Sequence, residues 1–178
     1  YYVGYGEGSS GRFIVDDRAE VRGTCCYIAK SDGNATITNA LVQVNGGAFR
    51  MKNELTVAGV NCGFEVNGGV ADIGYGSNGG GVVLGRGTPD CVSPRLSVTG
   101  GELYATNGSI NVGAAHPGTI RLTGGRVRTQ YMTSSVAGAV FHADGGVLEV
   151  TDAGTLGTGP VEVCKGAVLR FSNAAAKT

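Results

Sequence analysis

Five cysteines, two histidines and fourteen carboxylates are the groups with which this 178-residue chain could do chemistry. Cys25, Cys26, Cys62, Cys91 and Cys164 form no Cys-x-x-Cys pair, and His116 and His142 stand far apart. Zinc needs clustered thiolate and imidazole ligands, so this spacing predicts no metal and no cofactor. In an oxidising compartment up to two disulfides would form, with one thiol left over. Ring strain keeps neighbours Cys25 and Cys26 from bonding each other. One of them would bond within residues 22–39 or to Cys62 instead. The alternative makes Cys62 and Cys164 small buried apolar residues. An unpaired thiol could also join chains.

Acid–base or calcium-assisted catalysis needs convergent carboxylates. Here they are scattered. Asp16 and Asp17 are adjacent and read as bend residues, because on a strand they would point to opposite faces. Glu65, Glu102, Glu149 and Glu162 stand singly beside strand positions and are predicted to face solvent. His142, between Phe141 and Ala143, points outward if they point inward. No Gly-x-Ser-x-Gly elbow occurs, and no helical pattern follows the Gly4-x-Gly6 pair, as a dinucleotide fold requires. The nine-residue calcium repeat Gly-Gly-x-Gly-x-Asp is absent. Two sequons, at Asn34 and Asn107, are explained by turn composition. The chain is therefore predicted not to be an enzyme. Two acids meeting across neighbouring coils would be the exception.

Binding has better material. Tyr5 and Tyr75 fall in matching local contexts, and Tyr1, Tyr2, Tyr104 and Tyr131 are further candidates for the surface. Tyrosines there can stack on sugars and offer a hydroxyl. Tyr5 and Tyr75 would form a glycan contact if they share one flank; otherwise they cover loose, glycine-rich backbone. Arg121, Arg126 and Arg128 read as a local basic strip, offset by Glu102 and Glu149 in flanking coils.

The elements that must position these groups are written in glycine. There are 33 glycines, against a usual ~7%. Basic and acidic residues number 14 each, so no field draws in nucleic acid. No apolar run approaches the ~20 residues of a membrane helix, so no membrane insertion is expected. Five segments repeat the pattern apolar-x-apolar-[Asn/Thr/Asp]-Gly-Gly-x-apolar. Their glycine pairs are Gly46-Gly47, Gly68-Gly69, Gly100-Gly101, Gly124-Gly125 and Gly145-Gly146, at steps of 22, 32, 24 and 21. The long step is a regular one carrying an extra loop between Gly79 and Pro94. Variant copies at Phe13–Val21 and Val161–Leu169 have Ala in place of the second glycine, the latter with Gly166 before it. Apolar-x-apolar makes a short strand, and the glycines a bend where positive φ costs little.

Antiparallel hairpins and a parallel coil both fit this pattern. The period favours the coil, since three short strands and three bends use about that many residues. A second element, apolar-Gly-[Tyr/Ala], recurs at Val3-Gly4-Tyr5, Ile73-Gly74-Tyr75 and Val112-Gly113-Ala114 and keeps its place before the strand that leads into the glycine turn. The sequence thus predicts an all-β fold, a right-handed single-stranded parallel β-helix with coils of about 21–24 residues. It forms one domain over 1–178, a fragment of a longer solenoid, with 22–39 as a less repetitive insertion or loop.

Tracts such as Ile73-Gly74-Tyr75-Gly76-Ser77-Asn78-Gly79-Gly80-Gly81-Val82-Val83-Leu84 resemble the glycine-rich repeats of bacterial autotransporter passenger domains. The stretch from Ala153 to Val163, with Gly166-Ala167-Val168-Leu169-Arg170-Phe171, is similar to the autotransporter-associated β-strand repeat. The resemblance implies a β-helix outside, or on the surface of, a diderm bacterium. Five cysteines depart from such passengers, which are usually poor in Cys. The expected function is a non-catalytic structural or adhesive segment that self-associates, stacks on coils of its own polypeptide or contacts surface glycans. The alternative is a carbohydrate-binding or polysaccharide-cleaving β-helix.

Overall fold

The computed structural model describes all residues except 7, 31–35, 77–79, 88–90, 152–160 and 173–178. Alternating apolar residues give short strands, and bends after each let the chain wind. In order they are β1 (Tyr2–Tyr5), β2 (Arg12–Val15), β3 (Glu20–Lys30), β4 (Leu41–Val44), β5 (Ala48–Val57), β6 (Gly63–Val66), β7 (Val70–Ile73) and β8 (Val82–Leu84). There follow β9 (Arg95–Val98), β10 (Glu102–Asn111), β11 (Thr119–Leu122), β12 (Arg126–Thr133), β13 (Val140–Ala143), β14 (Val147–Val150), β15 (Val161–Val163) and β16 (Val168–Phe171). Among the described residues there is no helix.

Every strand pairing is parallel. One sheet runs β1-β3-β5-β7-β10-β12-β14-β16, with β8 completing the coil of β7 by pairing β5 and β10. The other runs β15-β13-β11-β9-β6-β4-β2. The chain visits the sheets alternately, so each pair of strands is one winding of a β-solenoid. Parallel register puts like positions one above another at ~4.8 Å. Phe13, Val42, Phe64, Leu96, Ile120, Phe141 and Val161 therefore form one inward column. Across the interior Phe49 meets Phe64 with ring centroids 5.5 Å apart. Among the described residues no strand pairs antiparallel with its sequence neighbour.

The glycine pairs form one corner between the sheets, and the backbone explains them. At each regular winding two successive amides share one carbonyl of the winding before, as when Asn67 and Gly68 both donate to Val44. The second glycine sits at positive φ, +63° to +72° in the five pairs. A Cβ on Gly69 would lie 2.4 Å from the carbonyl oxygen of Gly47, and one on Gly125 2.3 Å from that of Gly101. Both φ and space demand glycine.

The residue before each pair adds a polar ladder. Asn45 Nδ2 donates to Asp16 Oδ1 (2.7 Å), Asn67 Nδ2 to Asn45 Oδ1 (2.9 Å) and Thr99 Oγ1 to Asn67 Oδ1 (2.9 Å). The Asn/Thr/Asp preference in the repeat is thus both a turn signal and a chain of side-chain bonds. Asp16 and Asp17 are bend residues as expected, Asp17 at φ 49°.

The end copies differ from the pattern. Val15 and Glu20 pair with Val44 and Ala48, so the first turn holds one residue more than the regular one. Val163 and Val168, paired with Ala143 and Val147, show the same extra residue. Alignment residue for residue is therefore corrected. The longer turn relieves the crowding that excludes a side chain, and a Cβ on Gly166 would meet nothing.

Of region 22–39, expected as a less repetitive insertion or loop, the structure describes 22–30 and 36–39. Residues 22–30 are the second part of β3, with Cys26 opposite Leu55 and Ile28 opposite Val57. Weak sequence repetition there reflects polar residues on a strand whose inward positions, Cys26 and Ile28, are buried.

Candidate functional site

Unequal coil lengths accompany a concavity on one side of the stack. From Val57 to Gly63 the third winding needs six steps to pass from one sheet to the other. The coil before it takes thirteen over the equivalent interval, Ile28 to Leu41, and the coil after takes eleven, Leu84 to Arg95. A short rung between two long ones makes a groove. Its floor is Glu54, Thr56 and Ala58 from the short coil and its exit. Tyr27, Ala29 and Lys30 line one wall, Arg86 and Gly87 the other, around a volume of about 350 Å³.

Side-chain chemistry there is ordered. Thr56, almost fully buried, donates its hydroxyl to Glu54 Oε1 at 2.6 Å. Arg86 Nη1 donates to Glu54 Oε2 at 2.7 Å. The two bonds fix both carboxylate oxygens. Lys30 Nζ lies 4.6 Å from the centroid of the Tyr27 ring and 5.6 Å from that of Tyr2, within cation–π range. Tyr2 stacks on Tyr27 at 5.4 Å and meets Tyr5 edge-on at 5.3 Å. The Tyr27 phenol is held above its usual pKa, chiefly by its hydrogen bond to the Cys25 side chain and then by burial.

Tyr5 and Tyr75 are not brought together. Val3 aligns through Ile28 and Val57 with Leu84, so Val3-Gly4 is equivalent to Leu84-Gly85 and Val112-Gly113. Ile73 aligns instead with Met51 and Gly23. Tyr75 therefore belongs to an insertion between β7 and β8, not to the bend that holds Tyr5. The extra loop of the long step is correspondingly split. Ile73 and Val82 are nine residues apart where Met51 and Leu55 are four, and the remainder lies in 85–94. Tyr5 joins Tyr2 and Tyr27, while the carbonyl of Tyr75 accepts from Asn107 Nδ2 at 3.4 Å. The sequon at Asn34 lies outside the described residues.

All five cysteines are free, so no disulfide frame pins the segment 22–39. Cys26, Cys62 and Cys91 are buried; burial pushes Cys26 up to about 12 and Cys91 up to about 11. The Cys62 thiol donates to the carbonyl of Val60 and accepts from the amide of Ala40. Cys164, expected in the core as the alternative to a disulfide, is exposed; its hydrogen bond to Asp144 raises its pKa.

The carboxylates expected in solvent are mostly engaged. Glu149 is covered, accepting from Ser172 Oγ at 2.8 Å with Arg128 Nε at 3.7 Å. Glu65 accepts from Gln43 Nε2 at 2.6 Å, and Tyr104 donates its hydroxyl to Glu102. His142 does point away from Phe141 and Ala143, and its Nδ1 lies 2.8 Å from Glu162. The basic strip is divided. Arg126 and Arg128 stand on β12, whereas Arg121 lies on the other sheet with Asp144 at 2.8 Å.

No known protein family matches this chain, nor does any curated protein or solved structure. Among the described residues no group of three or more His, Cys, Asp or Glu could hold a metal ion. No helix there is long and apolar enough to cross a membrane. Sequence reasoning missed Tyr27, Lys30, Glu54, Thr56 and Arg86 as a set. The available signal was the failure of the repeat in 22–39 and in the long step, which flank the regular coil between them.

Proposed function

We propose that this chain is a non-catalytic, stiff segment of an extracellular or cell-surface β-solenoid, structural or adhesive in role, exported by a diderm bacterium. The single observation that supports it most is the parallel pairing that runs through both sheets, shifted in register only within β3–β5 and β10–β12 among the described residues, and reinforced by the corner ladder of Asp16, Asn45, Asn67 and Thr99. Bending such a rod would break backbone bonds in two sheets and a file of side-chain bonds together. The autotransporter-like glycine tracts support the location.

Self-association fits the ends. Among the described residues β1 and β2 at one end, and β15 and β16 at the other, each have one strand neighbour. Val163, Val168 and Phe171 are exposed on the last coil. Unpaired parallel edges and apolar surface favour stacking on a further coil or a second copy. Labelling of intact host cells with an antibody to this chain tests the location; signal that appears only after lysis would refute it. Solution scattering at rising concentration tests the stacking, which predicts rods lengthening along one axis.

Carbohydrate binding is the second reading. The groove of Tyr27, Lys30, Glu54, Thr56 and Arg86 favours it, with Tyr2 and Tyr5 alongside. Polysaccharide cleavage is not part of the proposal, since Glu54 is tied by Thr56 and Arg86 and, among the described residues, no second acid lines the groove. A depolymerisation assay on plant and bacterial polysaccharides should give no new reducing ends.

A further inference from the structure

We infer that this chain stacks on a second copy of itself head to tail, the winding of β15 and β16 in one copy lying on the winding of β2 and β3 in the next. This rests on the self-association proposed above and specifies its partner and faces. Four observations lead there.

The first is direction. Among the described residues β2 and the 20–23 part of β3 have a parallel neighbour on one side alone, as do β15 and β16. A last winding laid on a first extends both sheets in parallel. Two like faces meet across a two-fold axis, which makes their strands antiparallel. The second is the corner. From Val15 to Glu20 and from Val163 to Val168 the chain takes one residue more than at the glycine-pair corners between them. The two long corners therefore match, with Cys164 over Asp16, Lys165 over Asp17 and Gly166 over Arg18. Lys165 meets two carboxylates there, and all three groups are exposed. Arg18 meets open space, since a Cβ on Gly166 would touch nothing. On the sheet Arg170 falls beside Arg22, with Glu149 and Glu20 flanking both. Opposite charges across the joint set its register.

The third is the filling of a winding. The complete second winding points six apolar side chains inward, Val42, Val44, Phe49, Met51, Leu55 and Val57, all buried. The last winding, in line with Phe141, Ala143, Leu148 and Val150, offers four: Val161, Val163, Leu169 and Phe171. β1 offers two more, Tyr1 and Val3, in line with Cys26 and Ile28. In the joint these four and two share one layer, β16 beside residues 20–23 of β3 and β1 beside its second part, and complete a winding of six. Val163 and Phe171, exposed in the single copy, are covered there, and burial of apolar surface drives the contact.

The fourth is size. Phe171 falls over Gly23, the inward position of the first winding that has no side chain. Large over small is how packed layers interdigitate. In the single copy the Tyr1 ring leans over that place, 2.6 Å from where a Cβ on Gly23 would stand, and its hydroxyl donates to the carbonyl of Arg22 at 3.0 Å. Stacking moves this half-exposed ring back over Cys26 and exchanges one hydrogen bond for a covered face. Side-chain changes of this kind are common where two proteins meet.

Cross-linking between two tagged variants of the 178-residue chain tests the inference. Ile14 and Glu162 point outward and fall in register across the joint, with Cα atoms ~4.8 Å apart, within disulfide range. Ile14→Cys and Glu162→Cys, each in a Cys164→Ser background, are mixed with oxidised glutathione at concentrations where scattering shows lengthened rods. The mixture should give at least about tenfold more covalent dimer than either variant alone. Phe171→Asp and Lys165→Glu should each weaken association about tenfold or more. A thermal melt of each confirms folding, and two variants on different parts of the face keep the test intact if one fails to fold. Equal cross-linking within one variant alone would put like faces together, overturning the head-to-tail joint and leaving self-association standing. Rods that lengthen without any cross-link would do the same. Neither rods nor cross-links up to about 1 mM chain would overturn both. Unchanged association in either folded face variant would remove the joint from these windings.

Discussion

Two regions of the solenoid obey opposite rules. At the glycine corner the regular windings repeat the same atoms: two amides on one carbonyl, a glycine at positive φ, a polar side chain bonded to its neighbour. At the groove three successive windings differ in length, and the residues that meet there occur once each. The corner has no room for a new side chain; the groove is made of room. Repetition maintains the stack, and departure from it supplies chemistry. A solenoid tolerates this division because each winding needs only its two neighbours in register, so a coil can bulge outward without disturbing the column inside.

The sharpest way to break the contrast is to put a methyl group where the corner forbids it. Gly69→Ala places a Cβ 2.4 Å from a backbone oxygen, at φ +67°. We expect a loss on the order of 3 kcal/mol or more, measured by urea unfolding, since left-handed strain and a backbone clash add. Gly138→Ala, also at positive φ but with only Pro117 Cβ at 3.7 Å, should lose about 1 kcal/mol. Equal losses would mean that backbone conformation, not crowding, governs the corner.

A next effect comes from the long strand that leads into the groove. Cys26 has its folded pKa raised from 9.0 to about 12 by burial. The fold favours the neutral thiol, so its contribution is intact below pH 9 and declines as pH rises toward 12. Stability should fall by roughly 2–3 kcal/mol between pH 9 and 11 from this group. Cys26→Ala should flatten that part of the profile, whatever it costs at neutral pH.

Within the corner, Asn67→Ala removes both a donor to Asn45 and an acceptor for Thr99. A loss of about 1–2 kcal/mol is expected, because each partner keeps access to water. On the groove side, Thr56→Val keeps the shape and deletes one bond to Glu54, for about 1 kcal/mol. Were this to rival Gly69→Ala, the groove would be structural and the contrast would collapse.

The smallest test concerns a thiol at the far end. Asp144 raises the pKa of Cys164 through a hydrogen bond. Asp144→Asn should therefore speed alkylation of Cys164 at pH 8 severalfold, with Cys26, Cys62 and Cys91 still protected by burial.

The windings were legible because their causes are local. Asn67-Gly68-Gly69 states a polar bend followed by a residue at positive φ, and Phe64-x-Val66 states which side is apolar; neither needs knowledge of a neighbour. Tyr75 shows where this fails. Its local motif matches that of Tyr5, yet five more residues separate Ile73 from Val82 than separate Met51 from Leu55, and the match in letters becomes a mismatch in space. Glu149 was likewise misread, since strand alternation gives its outward direction but not the cover supplied by Arg128 and Ser172.

The sequence alone favoured a parallel winding over hairpins and placed the glycine-pair turns and the inward residues of the strands that lead into them, since φ preference and alternation act within a few residues. Tertiary structure decided that Tyr27, Lys30, Glu54, Thr56 and Arg86 share one cleft and that five cysteines remain thiols. Those outcomes depend on the relative lengths of three coils, and so on distances across the stack that no local pattern encodes.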